Sequence, residues 1–165
     1  MKLYFLRHGK AEDRSADGTD FSRKLTTEGI EEMREVARGL AKLVGGVDRV
    51  LSSPLPRALE TAKIAAAALQ IEEDKVEISK DLASGSFGPQ GLGRLLKGHS
   101  PNDRVLLVGH EPDFSSIVGY LTGARVEMKK AGCAYIETYE IEREGGVLRW
   151  LLTPRCLVLA SGASE

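Results

Sequence analysis

The sequence is poor in the residues that staple a fold or spread it over other molecules. Two of its 165 residues are cysteine, Cys133 and Cys156, with no CxxC pair and no histidine cluster beside them. That spacing argues against a disulfide framework and a structural zinc site, and it leaves two reduced core thiols as the expectation. Aromatic residues make up 5%, with a single tryptophan, so the 42% hydrophobic fraction is chiefly aliphatic. Neither sign of charge prevails: the net charge is −1. This argues against a general nucleic-acid or membrane-surface binder, and any cationic site must be local. Long apolar runs are missing as well. The longest helical block, Ile64 to Leu69, is far below membrane-spanning length. The apolar stretch after Met1-Lys2 is too short for a signal peptide, and a cytoplasmic location is expected. No repeat, low-complexity tract or Pro/Gly/Ser-rich linker divides the chain, so residues 1–165 are expected to form one domain.

Histidine is also scarce, and its placement is informative. Of three histidines, His8 follows the apolar run Leu3-Tyr4-Phe5-Leu6 within Arg7-His8-Gly9. His110 follows Val105-Leu106-Leu107-Val108-Gly109 and precedes Glu111-Pro112. Both therefore sit at the carboxyl ends of predicted buried strands, where α/β sheets bind ligands. His99, in Lys97-Gly98-His99-Ser100-Pro101-Asn102, has an exposed-loop context and no assigned role.

Between these points, strand and helix signals alternate. A charged loop separates the first strand from a helix, with Arg7, Lys10, Arg14, Arg23 and Lys24 set against Glu12, Asp13, Asp17 and Asp20. Leu25-Thr26-Thr27 opens that helix with a threonine N-cap; Ile30, Met33, Ala37, Leu40, Ala41 and Val44 give it a buried face, and Gly45-Gly46 ends it. Arg49 to Ser52 reads as a strand, Ala58 to Leu69 as an alanine-rich helix and Val76 to Ile78 as a third strand. Ser84 to Gly93 holds four glycines and a proline and is expected to be a mobile loop, followed by a short helix over 92–97. A helix from Asp113 to Leu121 follows the strand 105–108. Cys133 to Ile141 and Val147 to Leu152 flank a Gly-Gly turn as a β-hairpin. The pattern predicts an α/β three-layer sandwich with a mostly parallel central sheet and an antiparallel C-terminal hairpin.

Arg7, His8, Arg57 and His110 collect at strand ends, and that group suits phosphoryl transfer. Two guanidinium groups hold phosphoryl oxygens and stay charged at any physiological pH. A neutral imidazole attacks phosphorus through its free nitrogen, and a second imidazole, if protonated, donates to a phosphoryl oxygen in the transition state. Gly9 is expected to let the backbone approach the phosphate closely. A cation such as Arg57 at a helix start is unfavourable unless an anion faces it. Neither an HxH nor an HExxH motif is present, and the site is expected to work without metal or other cofactor.

The Leu6-Arg7-His8-Gly9 motif resembles the signature of the histidine phosphatase superfamily, the phosphoglycerate-mutase-like fold. Leu25-Thr26 with Gly29, Ser53-Pro54 with Arg57-Ala58 and Thr61, and Val108-Gly109-His110-Glu111-Pro112 follow in the family's order. The short length, with Pro154 and Cys156 near the end, is most similar to the SixA-type phosphohistidine phosphatases. The resemblance implies His8 as the nucleophile, Arg7, Arg57 and His110 as the rest of a phosphate pocket, and Arg23 as a substrate contact. Larger members carry a glutamate general acid in a pattern like Asp-Leu-x-Glu; here that stretch is Asp81-Leu82-Ala83-Ser84. A serine cannot protonate an alkoxide, whereas a protonated imidazole leaves unaided. The resemblance therefore implies a phosphorylated protein as partner, such as a histidine-containing phosphotransfer domain, with Asp81 and Glu111 as fallback acids. A phosphatase of small phosphomonoesters or of a nucleotide-like metabolite is the alternative. A non-catalytic phosphate- or phosphoprotein-binding module is a third reading.

Overall fold

The computed structural model describes residues 1–162. Strand β1 (Lys2–Arg7) leads through an acid-and-base-rich loop to helix α1 (Thr27–Val44). The Thr26 hydroxyl accepts from the Gly29 N–H at 3.0 Å, and Gly45 closes the helix in the left-handed conformation, as the capping residues predict. Strand β2 (Arg49–Ser52), helix α2 (Pro56–Ala68) and strand β3 (Val76–Ile78) follow. Then come α3 (Pro89–Leu95), β4 (Arg104–Gly109), α4 (Asp113–Thr122), β5 (Cys133–Thr138), β6 (Gly146–Leu152) and α5 (Pro154–Ser161).

The six strands form one sheet in the order β3-β2-β4-β1-β5-β6. The first four run parallel, and β5 and β6 join antiparallel at one edge. Side chains of the central strands alternate between faces, as the pleat requires. Leu3 and Phe5 of β1, with Val105 and Leu107 of β4, pack under α3 and α4 against Leu92, Phe114 and Ile117. Tyr4, Leu6, Leu106 and Val108 face the other way, toward Met33, Val36 and Leu40 of α1, Ala62 and Ala65 of α2, and Leu157 of α5. The result is the three-layer sandwich the sequence predicts, and near-continuous apolar runs are what a sheet covered on both faces needs.

Three expectations change. The segment 84–93 is not all loop, because α3 begins at Pro89, whose fixed φ suits a first helical turn, and ends at Leu95. Helix α5 carries no amphipathic signal long enough to be read from sequence. It starts at Pro154 after the Thr153 cap and lies so close on α1 that a side chain at Gly39 would meet the Leu157 carbonyl. Cys133 is a buried thiol, but Cys156, at the exposed start of α5, is not a core residue. His99 is half-buried rather than loose, its ring against Arg49 and, at 3.2 Å, the Asp103 carboxylate.

Candidate functional site

Strands β2, β4 and β1 are neighbours, and their carboxyl ends align. Arg7 is in register with Gly109 and Ser52 with Val108. One residue further on, the His8 N–H donates to Gly109 O at 3.1 Å and the Ser53 N–H to Val108 O at 3.0 Å. Three adjacent strand ends thus deliver Arg7-His8, His110 and Ser53 to one place. The turn after β2 brings in Arg57 on the first turn of α2. His8, Arg57 and His110 are buried, and the two imidazole centroids lie 5.2 Å apart.

Each histidine is held in one tautomer. His8 Nδ1 lies 2.8 Å from Gly9 O, which only accepts, so Nδ1 carries the proton and Nε2 keeps its lone pair. Burial, and then the charges of Arg57, Arg7 and Lys130, pushes the His8 pKa down to about 4, so the ring is neutral and nucleophilic near pH 7. His110 Nε2 lies 2.8 Å from Ser53 Oγ. That hydroxyl also accepts from the Leu55 N–H at 3.2 Å, and its own proton has no other acceptor among the described residues, which assigns Nε2 as its acceptor. The His110 proton therefore sits on Nδ1. Burial, with His8 and the two arginines, lowers the His110 pKa to about 3. The protonation that a cationic donor would require is disfavoured in the free protein: with its pKa lowered, His110 is neutral near pH 7 and offers Nδ1–H as the donor.

The two arginines are anchored alike. Arg7 Nη1 donates to Met128 O at 2.7 Å, and Arg57 Nη1 to Asp20 O at 2.8 Å. Arg7 Nε, Arg57 Nε and His110 Nδ1 are buried, and none of the three makes a hydrogen bond among the described residues. A buried donor without a partner is costly, and three of them around one neutral imidazole suit a tetrahedral oxyanion. The same donors oppose the charge that grows on phosphoryl oxygens in transfer.

Packing gives Gly9 a reason of its own. Its N–H goes to Thr61 Oγ1 at 3.1 Å, and a Cβ there would lie 2.6 Å from Met33 Cγ. The glycine lets α1 pack against the strand end, and Thr61, donating in turn to Arg57 O at 2.7 Å, ties that end to α2. Arg23 stands at the rim, its Nε on Glu12 O at 2.6 Å and its Nη1 on Asp20 Oδ1 at 2.7 Å. The anion facing Arg57 at the start of α2 is the Asp20 carboxylate, at 3.0 Å. Sequence reasoning gave no role to Ser53, Thr61, Asp20 or Lys130. The first two stand in quoted motifs, and a hydroxyl next to a strand-end proline is a readable signal. Asp20 and Lys130 come close to the site only through the fold. Lys130 precedes Ala131, whose N–H donates to His8 O at 3.0 Å.

The acid candidates are otherwise engaged. Ser84 is exposed. Asp81 is paired with Arg94 at 2.5 Å, which holds it below the usual carboxylate range. Both Glu111 oxygens accept from Ser115, one from its N–H at 2.9 Å and one from its hydroxyl at 2.5 Å.

Residues 3–91 match the family described as the histidine phosphatase superfamily (branch 1). An uncharacterized protein of Picosynechococcus sp. is 37% identical over 142 residues, covering 80% of this chain and 82% of its own. The solved structure of the protein histidine phosphatase SixA complexed with tungstate superposes with a TM-score of 0.80 at 25% identity, over 95% of this chain and 99% of that one. A phosphoserine phosphatase from Entamoeba histolytica in complex with phosphoserine gives a TM-score of 0.68 at 19% identity, over 93% and 98% of the two chains, a likeness of fold alone.

Proposed function

The chain belongs to the histidine phosphatase superfamily, branch 1, a family of phosphatases, and we propose that it acts through a phosphohistidine at His8 on phosphohistidine borne by a protein. His8 Nε2 attacks phosphorus, a P–N bond forms, and the bond to the leaving group breaks. Arg7, Arg57 and His110 Nδ1–H take the phosphoryl oxygens and stabilise the charge that develops there. The attacking ring keeps its Nδ1 proton on Gly9 O, so the adduct is the cationic phosphoimidazolium. Water then attacks phosphorus and releases its proton to solvent, and His8 departs as the same neutral imidazole it was. This second step needs no acid.

The observation that carries the substrate class is the lack of a free acid among the described groups around the site. Ser84, where the motif resemblance would put the acid, is an exposed hydroxyl, Asp81 is bound to Arg94, and Glu111 accepts on both oxygens. An alkoxide leaves poorly without a proton, a step for which general acids are worth about 10²–10⁴-fold. An imidazole protonated at its far nitrogen leaves neutral and needs none. Phe21, 71% accessible and next to Asp20 in the chain, and exposed Lys130, whose charge acts on His8, suit a protein surface as the substrate's carrier. The SixA structure bound to tungstate, a tetrahedral oxyanion, adds support.

The test is turnover of a phosphoramidate, an aryl phosphate and an alkyl phosphate, followed by rapid quenching with labelled phosphoramidate. The expected order is phosphoramidate fastest and alkyl phosphate slowest, with acid-labile label on His8. Alkyl phosphate turned over as fast as phosphoramidate moves the assignment to small phosphomonoesters. Phosphate bound without turnover or label makes the protein a binding module.

A further inference from the structure

Arg57 offers two faces for hydrogen bonding, and one is already taken. The end edge, Nη1 with Nη2, grips Asp20: Nη1 donates to its main-chain carbonyl at 2.8 Å and Nη2 to Oδ2 at 3.0 Å. The side edge, Nε with the other Nη2 proton, is left, and Nε is buried without a partner. The remaining Asp20 oxygen takes Arg23 Nη1 at 2.7 Å. Burial works against the ionised form of Asp20, yet Arg57 and Arg23 hold it below the usual carboxylate range.

The loop that carries Asp20 is closed from within. Asp17 Oδ1 receives the Ser15 hydroxyl at 2.7 Å, the Thr19 N–H at 3.0 Å and hydroxyl at 2.9 Å, and the Ser22 hydroxyl. Glu12 N–H donates to Lys24 O at 2.9 Å, and the Lys24 N–H returns to Glu12 Oε2 at 3.1 Å. Arg23 Nε adds its bond to Glu12 O. Position 20 is therefore fixed by the loop rather than by its own charge.

We propose that Asp20 is the positioning residue of the phosphate pocket: it holds the end edge of Arg57 and so turns the Nε–Nη2 edge to the phosphoryl oxygens, while fixing Arg23 at the rim. The proposal rests on the phosphatase reading of the site. A phosphoryl group entering by the end edge would have to break a main-chain bond as well as a carboxylate bond of a closed loop. One entering by the side edge satisfies Nε and breaks nothing. Arg7 repeats the design with a carbonyl in place of a carboxylate, its Nη1 on Met128 O and its Nε free. Asp20 thus stays in place during turnover, and it does not act as an internal anion that substrate must displace.

The two roles predict opposite signs. Tungstate affinity is measured by calorimetry, alongside kcat and KM for a phosphoramidate, in wild type, Asp20→Ala, Asp20→Asn and each variant combined with Arg57→Ala. As a positioning residue, Asp20→Ala weakens tungstate binding and lowers kcat/KM by about tenfold or more, since small misplacements of a phosphate-holding group are costly. Asp20→Asn, which keeps one side-chain oxygen and the main-chain carbonyl, recovers part of both. In the Arg57→Ala background the Asp20 effect on tungstate binding falls to the small contribution of Arg23 at the rim. Tighter tungstate binding in Asp20→Ala overturns the proposal in favour of an internal anion. Wild-type values in Asp20→Ala, or an equal loss with and without Arg57, overturn it too, the latter by showing that the residue only supports the loop. Wild type that binds tungstate without hydrolysing phosphoramidate removes the phosphatase reading and leaves the binding comparison standing.

Discussion

A neutral His8 with a free Nε2 makes a sharp claim about one side chain. His8→Ala removes the attacking nitrogen and leaves a methyl at a strand end whose backbone bonds, to Gly109 O and from Ala131 N–H, do not depend on the ring. Turnover is expected to fall on the order of 10³-fold or more, with thermal unfolding still cooperative; activity within tenfold of wild type removes the nucleophile assignment. The arginines separate by burial. Arg57→Ala, at a buried position proposed to face the phosphoryl group, is expected to lower kcat/KM about 10²–10³-fold. Arg23→Ala, at the rim, is expected to cost no more than about 1 kcal/mol in the same measurement. Equal losses would put Arg23 on the phosphoryl group itself. Two guanidinium groups already supply the pocket's positive charge, so a chelator is expected to leave initial rates unchanged, and activity restored only by a divalent cation contradicts that.

At the scale of elements, the loop after β3 decides whether an acid could be restored. Residues 83–88 are held to α4 by the Asp113 carboxylate, which accepts from the Gly85 N–H at 2.7 Å and the Phe87 N–H at 3.4 Å. Position 84 is thus more fixed than its glycine-rich surroundings suggest. Ser84→Glu is expected to raise alkyl phosphate turnover more than phosphoramidate turnover, because only the alkoxide needs a proton as its bond breaks. The gain should be well below the general-acid range of about 10²–10⁴-fold, since Arg7 and Arg57 lower a nearby carboxyl pKa. A selective gain toward phosphoramidates would refute the leaving-group argument. The element scale is also where the sequence is most and least legible. Strands β1 and β4 are plain because both faces are covered and the apolar run is unbroken, and α1 because its caps and buried face agree. Helix α5 is hidden because eight residues carry little periodicity, and its place is set by a close approach to Gly39 on a distant element. The site divides the same way. Arg7, His8, Arg57 and His110 stand in motifs that local order reveals, whereas Asp20 meets Arg57 across 37 positions of chain. Nothing local to an acidic loop marks which carboxylate will do so.

Over the whole molecule, the site is a place where stability is given up. One buried and one half-buried guanidinium group gather with two buried imidazoles beside the ends of three strands, and the fold keeps the imidazoles neutral well below the pH at which a free ring takes up a proton. Their pKa values fall from 6.5 to about 4 for His8 and about 3 for His110. The sign follows from proton counting. As pH falls below about 6.5 the unfolded chain binds a proton at each ring and the folded chain does not, so stability rises with pH in this window and is lost progressively on acidification. Each ring adds up to about 1.4 kcal/mol per pH unit to that slope. Carboxylates such as Asp17 and Asp20, also held low, act in the same direction only nearer their own ordinary range, so the window between about pH 6 and 5 belongs mainly to the histidines. Denaturant unfolding followed across that window is expected to show a shallower slope in His110→Gln than in wild type, by about one proton. An oxyanion should act oppositely. Under the proposed site, tungstate is expected to pair with the guanidinium groups and the Nδ1–H of His110 in the folded state alone, and so to raise the unfolding temperature as its binding dictates. That rise should shrink in Arg57→Ala. If His110→Gln keeps the wild-type slope, the ring is already protonated in the folded protein, and the neutral-donor role given to it fails.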